Sequence, residues 1–143
     1  VRLKRFLEMR GADGGPWRKI PALSAFWVGL LYDEASLDAA WQIVKDWNAV
    51  ERQKLRDDVT RLGFKASVRG RTLLDISRDC LALAHQGLIR RNRRDAGGQD
   101  ETRHLIALDE IVARGASSAD EMLAKFHGPW GGSVKPAYAE YVF

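Results

Sequence analysis

The sequence predicts a mainly α-helical segment led by a single β-strand. Three observations carry this: two-residue alternation confined to the first ten residues, helical spacing of apolar residues over most of the rest, and short Gly-rich stops that punctuate the chain. From Val1 to Arg10, Leu3, Leu7 and Met9 fall on one side, and Lys4, Phe6, Glu8 and Arg10 on the other. A strand places alternate side chains on opposite faces, so 1–10 reads as strand. Such a strand needs neighbours for its backbone donors and acceptors, and no second convincing strand follows in the sequence.

Gly11-Ala12-Asp13-Gly14-Gly15-Pro16 ends the strand and opens a loop over 11–20. The helical body then covers 21–143. Ala22 to Tyr32 is almost continuously apolar, which suits a buried helix, with Pro21 near its first turn. Leu37, Ala40, Trp41, Val44 and Trp47 mark a second helix capped by Asp33 or Ser36. Asn48 followed by Glu51 resembles a capping box, opening a helix through Leu62 that Gly63 terminates. Leu73, Ile76, Cys80, Leu83, Ala84 and Leu88 predict an amphipathic helix running into Arg90-Arg91-Asn92-Arg93-Arg94, broken at Gly97-Gly98. Leu105, Leu108, Ile111 and Val112 give another, Ser118 with Glu121 the cap of a further one, and Gly128-Pro129-Trp130-Gly131-Gly132 its end. A short helix follows Pro136.

At 143 residues with 45% apolar composition, the chain is long and apolar enough for one globular unit with a core. A net charge of +4, with both signs mixed along the chain, argues against nucleic acid as a partner. No apolar run is long enough to cross a bilayer, so no membrane partner is expected. The single Cys80 excludes an internal disulfide and suits a reducing cytoplasm. The opening at Val1, inside an element already under way, is that expected of a fragment of a longer protein.

The strongest chemical constellation is Glu8 and Arg10 on one strand face before a flexible turn, with Lys4 farther along that face. A carboxylate there can offer a hard oxygen to magnesium, and a guanidinium can grip a carboxylate or phosphate with two hydrogen bonds. Spacing alone fits an ordinary intrastrand salt bridge as well. Asp13-Gly14-Gly15 is a secondary candidate that a simple turn explains equally. His85, His104 and His127 show no zinc-like spacing, and Cys80 reads as a buried, inert thiol. The arginine cluster at 90–94 fits a helix C-terminus, and Trp27, Trp41 and Trp47 fit packing. Gly128 to Gly132 offers no acid, base or metal ligand, so its role reads as structural.

Leu7-Glu8-Met9-Arg10-Gly11-Ala12-Asp13-Gly14-Gly15-Pro16-Trp17-Arg18, then Ala25-Phe26-Trp27-Val28-Gly29-Leu30-Leu31-Tyr32-Asp33, closely resembles the glutamate-cysteine ligases of plants and many proteobacteria. So does His127-Gly128-Pro129-Trp130-Gly131-Gly132-Ser133-Val134, with Lys45-Asp46-Trp47, Glu51-Arg52 and Gly70-Arg71-Thr72-Leu73-Leu74-Asp75 between. The resemblance implies an α+β parent enzyme with a glutamine synthetase-like plan, of which this segment is the C-terminal part of a single catalytic domain. It implies ATP and Mg2+ as cofactors, L-glutamate and L-cysteine as substrates, and the missing N-terminal part of the enzyme as partner. By it, Glu8 is a magnesium ligand, Arg10 a catalytic contact to glutamate or its acyl phosphate, and Arg18 and Lys4 nucleotide contacts. The family pattern commonly has Cys where Pro21 stands and Pro where Ser24 stands, so no thiol-disulfide switch is expected within this chain.

The implied reaction joins glutamate's side-chain carboxylate to the cysteine amine through an acyl phosphate, the first step of glutathione synthesis, in a cytoplasmic enzyme. The fragment is expected to be inactive alone. Two alternatives stay open: a related carboxylate-amine ligase with another acceptor amine, and a noncatalytic helical module binding RNA or an acidic partner through the arginine cluster.

Overall fold

The computed structural model of the chain describes residues 2, 3, 5, 7, 8, 12 and 15–141. Two short strands, β1 (Arg2–Leu3) and β2 (Leu7–Glu8), pair antiparallel with Arg2 opposite Glu8 and Leu3 opposite Leu7. This corrects the expectation of one continuous strand over 1–10. The segment supplies its own partner by turning back, which satisfies backbone groups that a lone strand leaves open.

Helix α1 (Lys19–Leu31) follows, then α2 (Glu34–Val44) and α3 (Ala49–Leu62). A 3₁₀ turn at Gly63–Lys65 leads into a second antiparallel pair, β3 (Ser67–Val68) and β4 (Arg71–Thr72). Helix α4 (Leu73–Arg91) is the longest, and a 3₁₀ stretch at Glu101–Leu105 enters α5 (Ile106–Arg114). Helices α6 (Ser118–His127) and α7 (Ala137–Glu140) complete the chain.

The second pair of strands is a further correction. Arg69 and Gly70 have φ of 50° and 78°, the two positive values a two-residue type I′ hairpin requires. With two residues per strand, no alternation betrays it. Arg69 clamps the start of α3, donating to Glu51 Oε1 at 2.8 Å and Oε2 at 3.0 Å. Asn48 and Glu51 form the expected reciprocal cap, and Gly63 ends α3 at φ 52°. Helix α3 buries none of its residues; its polar surface is laced by pairs such as Gln53 with Asp57.

Helix α4 ends earlier than its composition predicts. Asn92 adopts the left-handed conformation (φ 49°, ψ 41°) and its backbone N–H donates to the carbonyls of Leu88 and Ile89, so the break falls before Gly97-Gly98. The cap of α6 is Ser117 with Asp120, one residue before the predicted Ser118 and Glu121.

The core lies between α1 and α4. Ala25, Leu30, Leu81, Ala84, Leu88 and Leu105 are buried together, flanked by half-buried Phe26 and Trp27. Small residues set the approach: Gly29 of α1 lies against the backbone of Ala84, and Gly87 of α4 against the carbonyl of Gly29. Trp41 is 58% exposed, which corrects its reading as a packing residue, whereas Trp27 packs edge-on against Phe26 at 5.3 Å.

Helix α2 is tied to α4 through Ser36, the buried polar residue of this layer. Its hydroxyl donates to Leu83 O at 2.9 Å and accepts from Arg90 Nη2 at 2.8 Å. Asp33 caps α2 by accepting from Ser36 N, and its carboxylate also receives Arg90 Nε and Nη2. The Arg90 guanidinium and then the Ser36 amide hold the Asp33 carboxyl well below its ordinary value of 3.8. A depressed carboxyl contributes stability above its unfolded pKa, lost as pH falls through the folded one. Asp33→Asn keeps a capping side chain but removes the charge. The stability gap between wild type and Asp33→Asn should therefore be constant above about pH 5 and shrink below about pH 4, read by urea titration across that range. A gap that does not change with pH would contradict the assignment.

Candidate active-site strand and loop

Glu8 stands at the end of β2, followed through Ala12 and Gly15 by the turn that starts α1. Lys19 N donates to Pro16 O at 2.8 Å and Ile20 N to Trp17 O at 3.2 Å, so Pro16 and Trp17 wind directly into the helix. Pro21 sits in that first turn, where its missing donor costs nothing. Lys4, Arg10, Asp13 and Gly14 lie outside the described residues.

Two contacts anchor this loop to the helical body. Arg18 Nη1 lies 2.7 Å from Glu110 Oε2 of α5, and Lys19 Nζ donates to Ser118 Oγ of α6. The Arg18 ion pair is half-exposed on both sides, and such pairs contribute little stability. A phosphate or carboxylate could therefore draw the Arg18 guanidinium away at small cost. Arg18 also borders a recess of about 260 Å³ with Pro21, Arg103, His104, Ile106 and Ala107.

Among the described residues, no group of three or more His, Cys, Asp or Glu side chains is arranged to hold a metal ion. Magnesium takes one or two protein carboxylates and completes its shell with phosphate oxygens and water.

Arg90, Arg91 and Arg94 of the arginine cluster are engaged internally. Arg90 holds Asp33, Arg91 donates to Glu101 Oε2 at 3.1 Å, and Arg94 donates to Asn92 Oδ1 and Gly98 O. Arg103 pairs with Asp95 beside them. These contacts, spread over the loop after α4, go beyond the helix-end interaction expected from sequence.

Cys80 lies half-buried on α4, and burial pushes its thiol up, away from the thiolate form a nucleophile needs. His85 does have a carboxylate partner: its Nε2 lies 2.9 Å and 3.1 Å from the two oxygens of Asp109. Sequence reasoning missed that pair because 24 residues and a helix boundary separate the two. The Gly-Pro-Trp-Gly-Gly turn makes packing contacts with the end of the chain. Trp130 is buried, its Nε1 donates to Glu140 Oε1 at 2.8 Å, and Lys125 Nζ lies 5.8 Å from the Trp130 ring centroid and 5.1 Å from that of Tyr141 while pairing with Glu140. It fastens α7 to α6.

The sequence matches a known family. The family model described as glutamate-cysteine ligase family 2 (GCS2) covers residues 1–140. The chain belongs to that family. Chloroplastic glutamate-cysteine ligases of Arabidopsis thaliana, Nicotiana tabacum and Solanum lycopersicum are 47%, 46% and 46% identical to it over all 143 residues. Those 143 residues correspond to 26% of each of these proteins, so the chain spans about a quarter of the length of the relatives it matches. No helix among the described residues is long and apolar enough to cross a membrane.

Proposed function

We propose that this segment carries the Glu-x-Arg strand and adjoining loop of an ATP-dependent glutamate-cysteine ligase. The supporting observation is identity of 47% to a plant ligase across every residue of the chain. In the reaction, a side-chain oxygen of glutamate attacks the γ-phosphorus of ATP and the bond to ADP breaks. The cysteine nitrogen then attacks the acyl carbon, phosphate departs, and the amine loses its proton.

Both steps gather negative charge on phosphoryl and carbonyl oxygens, so fixed cations lower the barrier when they bind the transition state more tightly than the substrates. Glu8 is the carboxylate that would hold Mg2+, which supplies charge neutralisation at the phosphates. Arg10 orients glutamate and its activated carboxyl through a two-pronged contact. Arg18, released from Glu110, and Lys4 would contact the nucleotide. The segment works as part of a longer ligase, since it matches the plant relatives over 26% of their length. We place the enzyme in the cytoplasm on the reducing character suggested by the single Cys80; the relatives are named as chloroplastic, and a fluorescent fusion distinguishes the two compartments.

The test is product formation by the full-length ligase with ATP, Mg2+ and glutamate, offered cysteine and a panel of other amines. Cysteine should be preferred, with γ-glutamylcysteine as product. Turnover with another amine and none with cysteine would replace the acceptor while keeping the chemistry. The 143-residue chain alone should make no product under the same conditions.

A further inference from the structure

We propose that the apolar groove between α1, α4 and α5 seats a segment of the ligase chain lying outside these 143 residues. The groove encloses about 450 Å³ and is walled by Leu23 and Phe26 of α1, Ile76 and Cys80 of α4, and Ile111 and Val112 of α5. None of its lining residues is charged. A nucleotide or amino-acid substrate entering it would lose hydration without gaining an ionic partner, so the occupant is apolar.

The groove has the character of half a core. The largest fully buried side chains of the described residues are only Leu88, Leu105 and Ser36, whereas Phe26 and Trp27 stay half-buried along the groove and Leu23 is 39% exposed. Large apolar side chains left half-covered mark an interaction surface. What covers them follows from length: the relatives are about four times as long as this chain, which matches them over 26% of their residues. A ligase of that length has ample chain to fill the groove from within. This inference rests on the ligase reading above.

The seat is coupled to the candidate site. Ala12 lines the groove and belongs to the connection between Glu8 and Arg18. An occupant of the groove therefore packs against Ala12, four residues after Glu8 in the chain.

The experiment is peptide-resolved alkylation by iodoacetamide of the purified full-length ligase carrying Leu23→Cys, with Ile111→Cys as a second groove position. Val50→Cys, on the exposed side of α3, serves as the reference. Each thiol is compared with its own rate in denaturant. The groove cysteines should react roughly 100-fold slower in the native enzyme than in denaturant, and Val50→Cys within about tenfold. Native rates at both groove positions within about tenfold of the denatured rates would overturn the proposal. So would protection that disappears on about 100-fold dilution, which would assign the groove to a second copy. Turnover measured on the same samples keeps the two readings apart: an active enzyme with reactive groove cysteines removes the seat and leaves the ligase assignment standing.

Discussion

Glu8→Gln in the full-length ligase lowers γ-glutamylcysteine formation by about 10²- to 10³-fold, the loss typical of removing one group that stabilises developing charge. Gln keeps the shape of Glu but cannot present an anionic oxygen to a hard cation. Raising the magnesium concentration should recover part of the Glu8→Gln defect and none of the Arg10→Ala defect, because only the first weakens metal binding. Arg10→Ala should lose at least as much activity, and Arg10→Lys should recover little, since an ammonium cannot reproduce the planar two-pronged contact. Steady-state assays of kcat and KM, with folding checked by circular dichroism, decide it. Activity within tenfold of wild type in Glu8→Gln would remove Glu8 from the metal site.

Gly87→Ala destabilises the protein by about 3 kcal/mol or more, and Gly29→Ala does the same. Helix propensity alone predicts the opposite sign, a gain of roughly 1 kcal/mol for replacing glycine by alanine inside a helix. The contact geometry overrides it. A Cβ on Gly87 would lie 1.9 Å from Gly29 O and 3.0 Å from Ser36 Oγ, and one on Gly29 would lie 2.3 Å from Ala84 O. The obstruction is backbone, which cannot rotate aside as a side chain can, so α1 and α4 must separate and expose Ala25, Ala84 and Leu88. Urea unfolding with protease sensitivity measures the loss. A neutral or stabilising Gly87→Ala would show that the two helices tolerate a wider spacing.

The cap at Asn48 and Glu51 was legible because it is local: both partners sit within one turn, and the side chains bond to the backbone beside them. The cap of α6 was legible to within one residue for the same reason, with adjacent serines at Ser117 and Ser118 leaving its register open. The hairpin at 67–72 was harder. Its signal is the pair Arg69-Gly70, and strands of two residues carry no alternation to support it. At the candidate site, the motif was legible as a motif, while the partner of Arg18 was not, since Glu110 lies on α5, far along the chain.

The sequence by itself determined the helical body, most of its boundaries, the carboxylate and guanidinium placed two residues apart, and the family. These depend on periodicity, capping and ordered motifs, all of which are short-range properties of a chain. Tertiary structure alone decided that Gly29 and Gly87 meet, that Arg90 closes on Asp33 across 57 residues, and that His85 finds Asp109. It also decided that Phe26, Ile76 and Ile111 face one another across an apolar groove. Each of these requires two helices to be set at a particular distance and rotation. That setting comes from side-chain packing summed over the whole interface, which no single window of sequence contains.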